Sequence, residues 1–517
     1  MEIEIDDLYK VLRFHDLEIR KHFNDDSYSD SDYFFCAINE DIFQNAINII
    51  NNVKAGFALS PSIDNSCRTI IESFCILKMR AEGVISDEQL KLFRNQYLLV
   101  DFLNLKQAIK ESDSPYKDGI IKGYKETIQL FCDYYKCKEK DLLASSVDDP
   151  NFYLKRSLKD NIRFKSLLKK FPVFDEAKYG LYDFFSIFSH PFFTFDKEAY
   201  IRLMSNRDEM IDMVLDYVLK YICNSSLWIN DCKEMSFEDI FTNNPILENN
   251  RKNILSLNVL FENTINKSCY FDDGCDLCRI MYLQKINDLI GSMMVNFAIG
   301  YREQVIVDFK NFIELSAVDS YLGHCDSISE YKTLKKAFDV TTLLSICNIS
   351  GLLNEQSDKK YFEKEMRELY EKFYKERYQL NDFEEFYSNV VNNSLYFIFK
   401  DKKSYKSVVR KMFDDIYYLN QDLSKSIYAT FQIANDFAHA GGYSFNASPG
   451  MVDDCATKVL CFVLLHLKIV LINIIEVSKE HNKTVEFDQE FKYINDMMEY
   501  YTEINEKIEK DYSTKLN

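Results

Sequence analysis

A cation and a carboxylate four residues apart open the chemistry of this chain. Arg68 and Glu72 share one helical face, continued by Cys75 and Met79, beside an apolar face of Ile63, Ile70, Ile71, Phe74 and Leu77. An ion pair on the margin of an apolar face is partly desolvated and is worthwhile only with further polar partners. A second helix can supply them, because Tyr182, Ser186, Ser189 and His190 fall along one polar stripe while Leu181, Phe184, Phe185 and Phe188 face elsewhere. With a guanidinium to grip an anion and an imidazole as acid or base, Arg68, Glu72 and His190 form a candidate catalytic group, flanked by Tyr182 and Ser186 as binding residues. The pattern recurs later in the chain. Lys310 and Glu314 are four apart, and Tyr428, Asn435 and His439 form a matching stripe, which makes these five the candidate binding residues of a second pocket. The competing reading of both sets is an internal polar network that fixes how the helices pack. If there is a ligand, the first set is the expected site, since Arg68 can bind an anion bidentately where the second set has Lys310.

Other chemistries lack their residues. No P-loop, dinucleotide glycine fingerprint, HExxH or GxSxG motif occurs, which removes the common NTPase, dinucleotide, zincin and hydrolase readings. Cys275 and Cys278 form a C-x2-C with Cys269 upstream and His324-Cys325 beyond. A structural zinc site commonly uses two paired knuckles, and a close second pair is missing, so ordinary thiols are expected and no metal or cofactor.

The elements that must position these residues are helices. The 517 residues contain only 13 Gly and 7 Pro, too few to punctuate a sheet-rich or disordered chain, while 41 Phe and 34 Tyr promise a large aromatic interior. Apolar residues recur at three- and four-residue steps, most clearly from Lys360 to Tyr387. Ser60-Pro61-Ser62 reads as a helix start. The class is all-α. Acidic residues outnumber basic ones 82 to 63, a net charge of −19 that disfavours a surface coating nucleic acid or anionic lipid. The apolar run from Val459 to Val477 carries His466, Lys468 and Asn473, and is expected as a buried core helix rather than a membrane span. An acidic start, Met1 to Asp7, argues against a secretory signal, and the 14 scattered Cys suit reduced thiols in a cytoplasm.

Self-comparison suggests that the chain is written twice. Beyond Arg68–Glu72 with Lys310–Glu314, the stretch from Tyr182 to Phe195 resembles Phe431 to Phe445, each with an aromatic, a small polar residue and His at four-residue steps. Ile47-Asn48 pairs with Ile286-Asn287, and Phe57-Ala58 with Phe297-Ala298. Two tandem, internally duplicated helical bundles are expected, at residues 1–240 and 241–478, followed by a charged tail helix at 479–517. The boundary falls in a polar connector around Trp228 to Asn253.

The Arg-x3-Glu helix followed much later by an aromatic-x3-Ser-x3-His helix resembles bacterial all-helical families grouped with the HEPN-like domains of abortive-infection and toxin–antitoxin systems. None of the seven histidines has an Arg four to six residues before it, so the ribonuclease motif of that group is missing. The resemblance implies a cytoplasmic bacterial protein of phage defence or stress, acting by binding a partner or a small anionic ligand. The alternatives are a hydrolase or nuclease with a His-Arg-Glu site, and a helical scaffold for protein–protein interaction.

Overall fold

The computed structural model describes residues 8–9, 11–12, 30–86, 89, 117–139, 168, 170–174, 180–189, 197–224, 245–268, 277–323, 333, 336, 340, 355–375, 382–392, 430–431, 434, 449–480 and 484–516. Among them there are long helices and no strand: the protein is all-α.

The framework is a pair of helical hairpins. In the first, α1 (Asp30–Lys54) turns back into α2 (Pro61–Ala81); in the second, α7 (Leu277–Ile299) turns into α8 (Arg302–Gly323). Helix α2 starts as its sequence dictates. Ser60 is extended and its hydroxyl accepts from the Ser62 amide at 3.2 Å, and Pro61 takes the first position, where no amide is needed. Both hairpins end their first helix alike. Gly56 (φ +85°) and Gly300 (φ +91°) adopt the left-handed conformation that only glycine reaches cheaply. The next residues, Phe57 and Tyr301, donate their amides to the carbonyls of Asn52 and Asn296, each at 2.8 Å.

These ends pair Asn52 with Asn296 and Phe57 with Tyr301, about one helical turn away from the dipeptide matches read in the sequence. The connection to the second helix is four residues (57–60) in one hairpin and one residue (301) in the other.

The hairpins interlock through those aromatic residues. The Phe57 ring lies so close over Gly291 on α7 that a Cβ there would clash with three ring carbons. Tyr301 is buried in the apolar cluster formed by α1, α2, α4 (Leu181–Phe188) and α5 (Lys197–Asn224). That cluster extends into Met366, Leu369 and Tyr370 at the end of α9 (Glu355–Leu369), and into Phe386 of α10 (Phe383–Asn392). Helix α3 (Lys117–Tyr135) buries Ile128 and Phe131.

A second apolar cluster joins α7 and α8 to α6 (Pro245–Ser268), α11 (Pro449–Glu480) and α12 (Asp488–Leu516). Helix α11 is long and apolar enough to cross a membrane by length and composition. In this fold Val459, Leu460, Val463, Leu464 and Leu471 are buried against α8 and α12, and Lys468 donates to the Asn495 side chain at 3.0 Å. Helix α12 lies along α11 and buries Ile494, Met497 and Tyr501.

Two local expectations change. Residues 245–253, read as connector, are the start of α6, with Pro245 at its first position. The Lys360–Tyr387 periodicity does not make one helix: α9 passes through a π-helical turn, Tyr370–Tyr374, and α10 begins afresh where Asp382 accepts from the Glu384 amide at 2.9 Å. Periodicity reads apolar spacing and is blind to such a local side-chain stop.

Candidate functional site

Residues Pro61 to Ile76 of α2 are all buried, including every polar one among them. A helix with no solvent face must place each polar side chain against a partner on a neighbouring helix. Going round α2, this sorts the side chains by direction.

On one side, Arg68 and Glu72 meet α4. The Arg68 Nη1 donates to Ser189 Oγ at 3.1 Å, the Tyr182 hydroxyl donates to Glu72 Oε1 at 3.1 Å, and Arg68 Nε lies 3.8 Å from Glu72 Oε1. Ser189 in turn donates to the Ser186 carbonyl at 3.1 Å, so Ser186 contributes its backbone there. Arg68, Glu72, Tyr182 and Ser189 are thus brought together.

The second charged pair lies within electrostatic reach of the first. Lys310 on α8 is 4% exposed, Glu314 is 3%, and the charges of Glu314, Arg68 and Glu72 all act on the Lys310 ammonium. Burial lowers the Lys310 pKa, Arg68 lowers it further, and the two glutamates oppose that. Two cations and two carboxylates, one of each from either hairpin, are therefore electrostatically coupled where α2 packs on α8. Lys310 itself makes no hydrogen bond and no ion pair among the described residues. His190, Tyr428, Asn435 and His439 lie outside the described residues, as do Cys269, Cys275, His324 and Cys325. Among the described residues no group of three or more His, Cys, Asp or Glu is placed to hold a metal ion.

Two further clusters surround this crossing, and neither was singled out in the sequence. On the next side of α2, Arg207 of α5 grips both oxygens of Asp64 at 2.8 and 2.9 Å and the carbonyls of Ala58 and Ser60 at 2.6 and 3.2 Å. Lys285 of α7 lies beside them, buried, with its pKa lowered to about 8 by burial. Asp288, which accepts the Leu59 amide at 3.1 Å, is pushed up to about 6 by burial. This cluster ties α5 and α7 to the α1–α2 turn.

On the opposite side, Asn48 of α1 donates to Ser62 and Ser66 at 2.8 Å each, and Ser62 also hydrogen-bonds Asp308 of α8. Asp308 accepts from Ser292 at 2.6 Å and Asn296 at 3.3 Å on α7, and burial with no cation beside it pushes its carboxyl up to about 7. The available signal for both clusters was the density of Ser, Asn and Asp inside helices rich in Ile and Phe. Periodicity treats such residues as a solvated face, and here there is none.

The arrangement can hold charge in a dry place and can offer an ammonium to an acceptor. No family model, curated protein or solved structure matches the chain, so this geometry alone speaks for the site.

Proposed function

We propose that this protein works by binding, with the crossing of α2 and α8 as a composite receptor for a small anion. One observation carries the reading: Lys310 is a buried ammonium without a hydrogen bond or close ion pair among the described residues. A buried cation is stable when an anion or several acceptors complete its shell. Glu72 is already engaged by Tyr182 and Arg68, which leaves the Lys310 shell open to a ligand.

On this reading the two halves are tandem bundles, 1–240 and 241–478 with a tail helix at 479–517, descended from one duplicated unit. The equivalent Gly56 and Gly300 turns support that descent. The HEPN-like resemblance extends the proposal to a bacterial cytoplasmic protein of phage defence or stress, in which anion binding signals to a partner. Free thiols at Cys67, Cys75, Cys132, Cys137, Cys455 and Cys461 suit a reducing compartment.

The test is thermal denaturation with inorganic phosphate. Phosphate at millimolar concentration should raise the melting temperature of the native chain and leave Lys310→Met unmoved. If the charges are only a packing network, phosphate moves neither protein.

A further inference from the structure

Helix α3 ends in a way that brings two thiols together. Lys136, the first residue beyond it, takes the left-handed conformation (φ +51°), and the Cys137 amide turns back to donate to the Cys132 carbonyl at 3.1 Å. The same turn-back bond closes α1, α2 and α7, where the left-handed residue is Gly56, Gly83 or Gly300. At the end of α3 a lysine stands in that place, although a side chain is strained there. In those three helices the bond joins Phe57 to Asn52, Val84 to Met79 and Tyr301 to Asn296. In α3 both of its residues are cysteines.

Such a bond limits how far apart the two residues can be. One carbonyl, one bond of 3.1 Å and one amide nitrogen separate their Cα atoms. That path is at most about 7 Å end to end, and shorter where it bends. A disulfide needs Cα atoms about 4.4–6.8 Å apart. A cap of this type also sets the side chains at the two ends of the bond against each other. Cys132 and Cys137 are both free, and burial, then the nearby Cys137, raises the Cys132 pKa. Their exposure differs. Cys132 is 9% exposed and Cys137 is half-buried, so a small solute meets Cys137 first. The other described thiols have no such neighbour within their own helix. Cys67 and Cys75 on α2 are eight residues apart and Cys455 and Cys461 on α11 are six, which is about 12 and 9 Å along the helix axis.

We propose that Cys132 and Cys137 form a redox site, a dithiol that hydrogen peroxide converts to a disulfide across the end of α3. Peroxide transfers one oxygen to the Cys137 sulfur, giving a sulfenic acid and releasing water. The Cys132 sulfur then displaces that hydroxyl, which leaves with the Cys132 proton as a second water, and the S–S bond forms. In all, two thiols lose two hydrogens and one peroxide becomes two waters. Two molecules of a small thiol such as glutathione reverse the step by exchange and leave as their own disulfide. Transient, redox-sensing disulfides are the kind that reducing compartments hold.

Alkylation of the full chain after exposure to hydrogen peroxide, read by peptide mass mapping, tests this. In the native chain Cys132 and Cys137 should be lost from the alkylated pool together and appear as one bridge between the two residues. Dithiothreitol should return both. In Cys137→Ser, Cys132 should stay fully alkylated after the same exposure. In Cys132→Ser, Cys137 should go on to the sulfinic acid for want of a partner thiol. Three results in the native chain overturn the proposal: both thiols remain alkylated, Cys137 alone is oxidised, or either one bridges to a different cysteine.

Discussion

Asp308 shows how much a single buried group can report. It faces Ser292 and Asn296 from α7 and Ser62 from α2, all uncharged, and burial lifts its carboxyl from 3.8 to about 7. The fold thus favours the protonated acid. Between those two values the folded chain keeps a proton that the unfolded chain has released, so unfolding free energy falls as pH rises, by up to about 1.4 kcal/mol per unit. The cost is absent below about pH 4 and complete above about pH 7. His466 has the opposite sign: burial lowers it to about 4, so its contribution to stability grows as pH rises towards its ordinary 6.5. The difference between native chain and Asp308→Asn isolates the first group. Urea unfolding at pH 5 and pH 8 should move that difference in favour of Asn by at least about 1 kcal/mol at the higher pH. A difference independent of pH would show that Asp308 is charged in the fold throughout. At this scale, Arg68 with Glu72 and Lys310 with Glu314 were legible in the sequence because an i,i+4 charge pair is a local pattern. Asp308 was not, because a polar residue on a helix reads as solvated until its neighbours are known.

Among the elements, the α1–α2 turn and α7 approach each other closely at Phe57 and Gly291. Gly291 sits in mid-helix, where glycine ordinarily costs about 1 kcal/mol relative to alanine. Here the rule reverses, since the Phe57 ring occupies the volume of a Cβ. Gly291→Ala should destabilise by about 1–3 kcal/mol in chemical denaturation, as other overpacked cores do. Combining it with Phe57→Leu should cost less than the sum of the two single changes. An alanine variant as stable as the native chain would mean that the ring turns aside freely. Sequence reading saw neither partner, because a lone glycine in an apolar helix announces a close approach without saying to what. The start of α2 at Ser60-Pro61 was legible, since a cap is made by residues adjacent in the chain. So was the burial of α11, whose apolar run is too continuous to leave in water.

Across the whole molecule the two hairpins are not independent. Phe57 lies on α7, Tyr301 lies in the first apolar cluster, Gln304 donates to Asn45 at 3.2 Å, and the charges of Lys285 and Asp64 act on each other across the same boundary. A fragment of residues 1–240 would therefore expose Phe57 and strip Ser62 of Asp308. It should show no cooperative thermal transition by circular dichroism, while the full chain shows one. A fragment melting as sharply as the intact protein would make residues 1–240 an autonomous unit.

The amino-acid sequence by itself determined the helical class, because scarce Gly and Pro and a 3.6-residue apolar rhythm act over short stretches of chain. It also determined that Arg68 pairs with Glu72 and that Tyr182 and Ser189 lie on one stripe. Only the tertiary structure decided that the second pair, Lys310 and Glu314, comes within electrostatic reach of the first where α2 packs on α8. The reason is physical: spacing along a helix fixes which side chains share a face, whereas the choice of which faces meet is made by packing between hairpins far apart in the chain. The Phe57–Gly291 approach is one such contact between the hairpins.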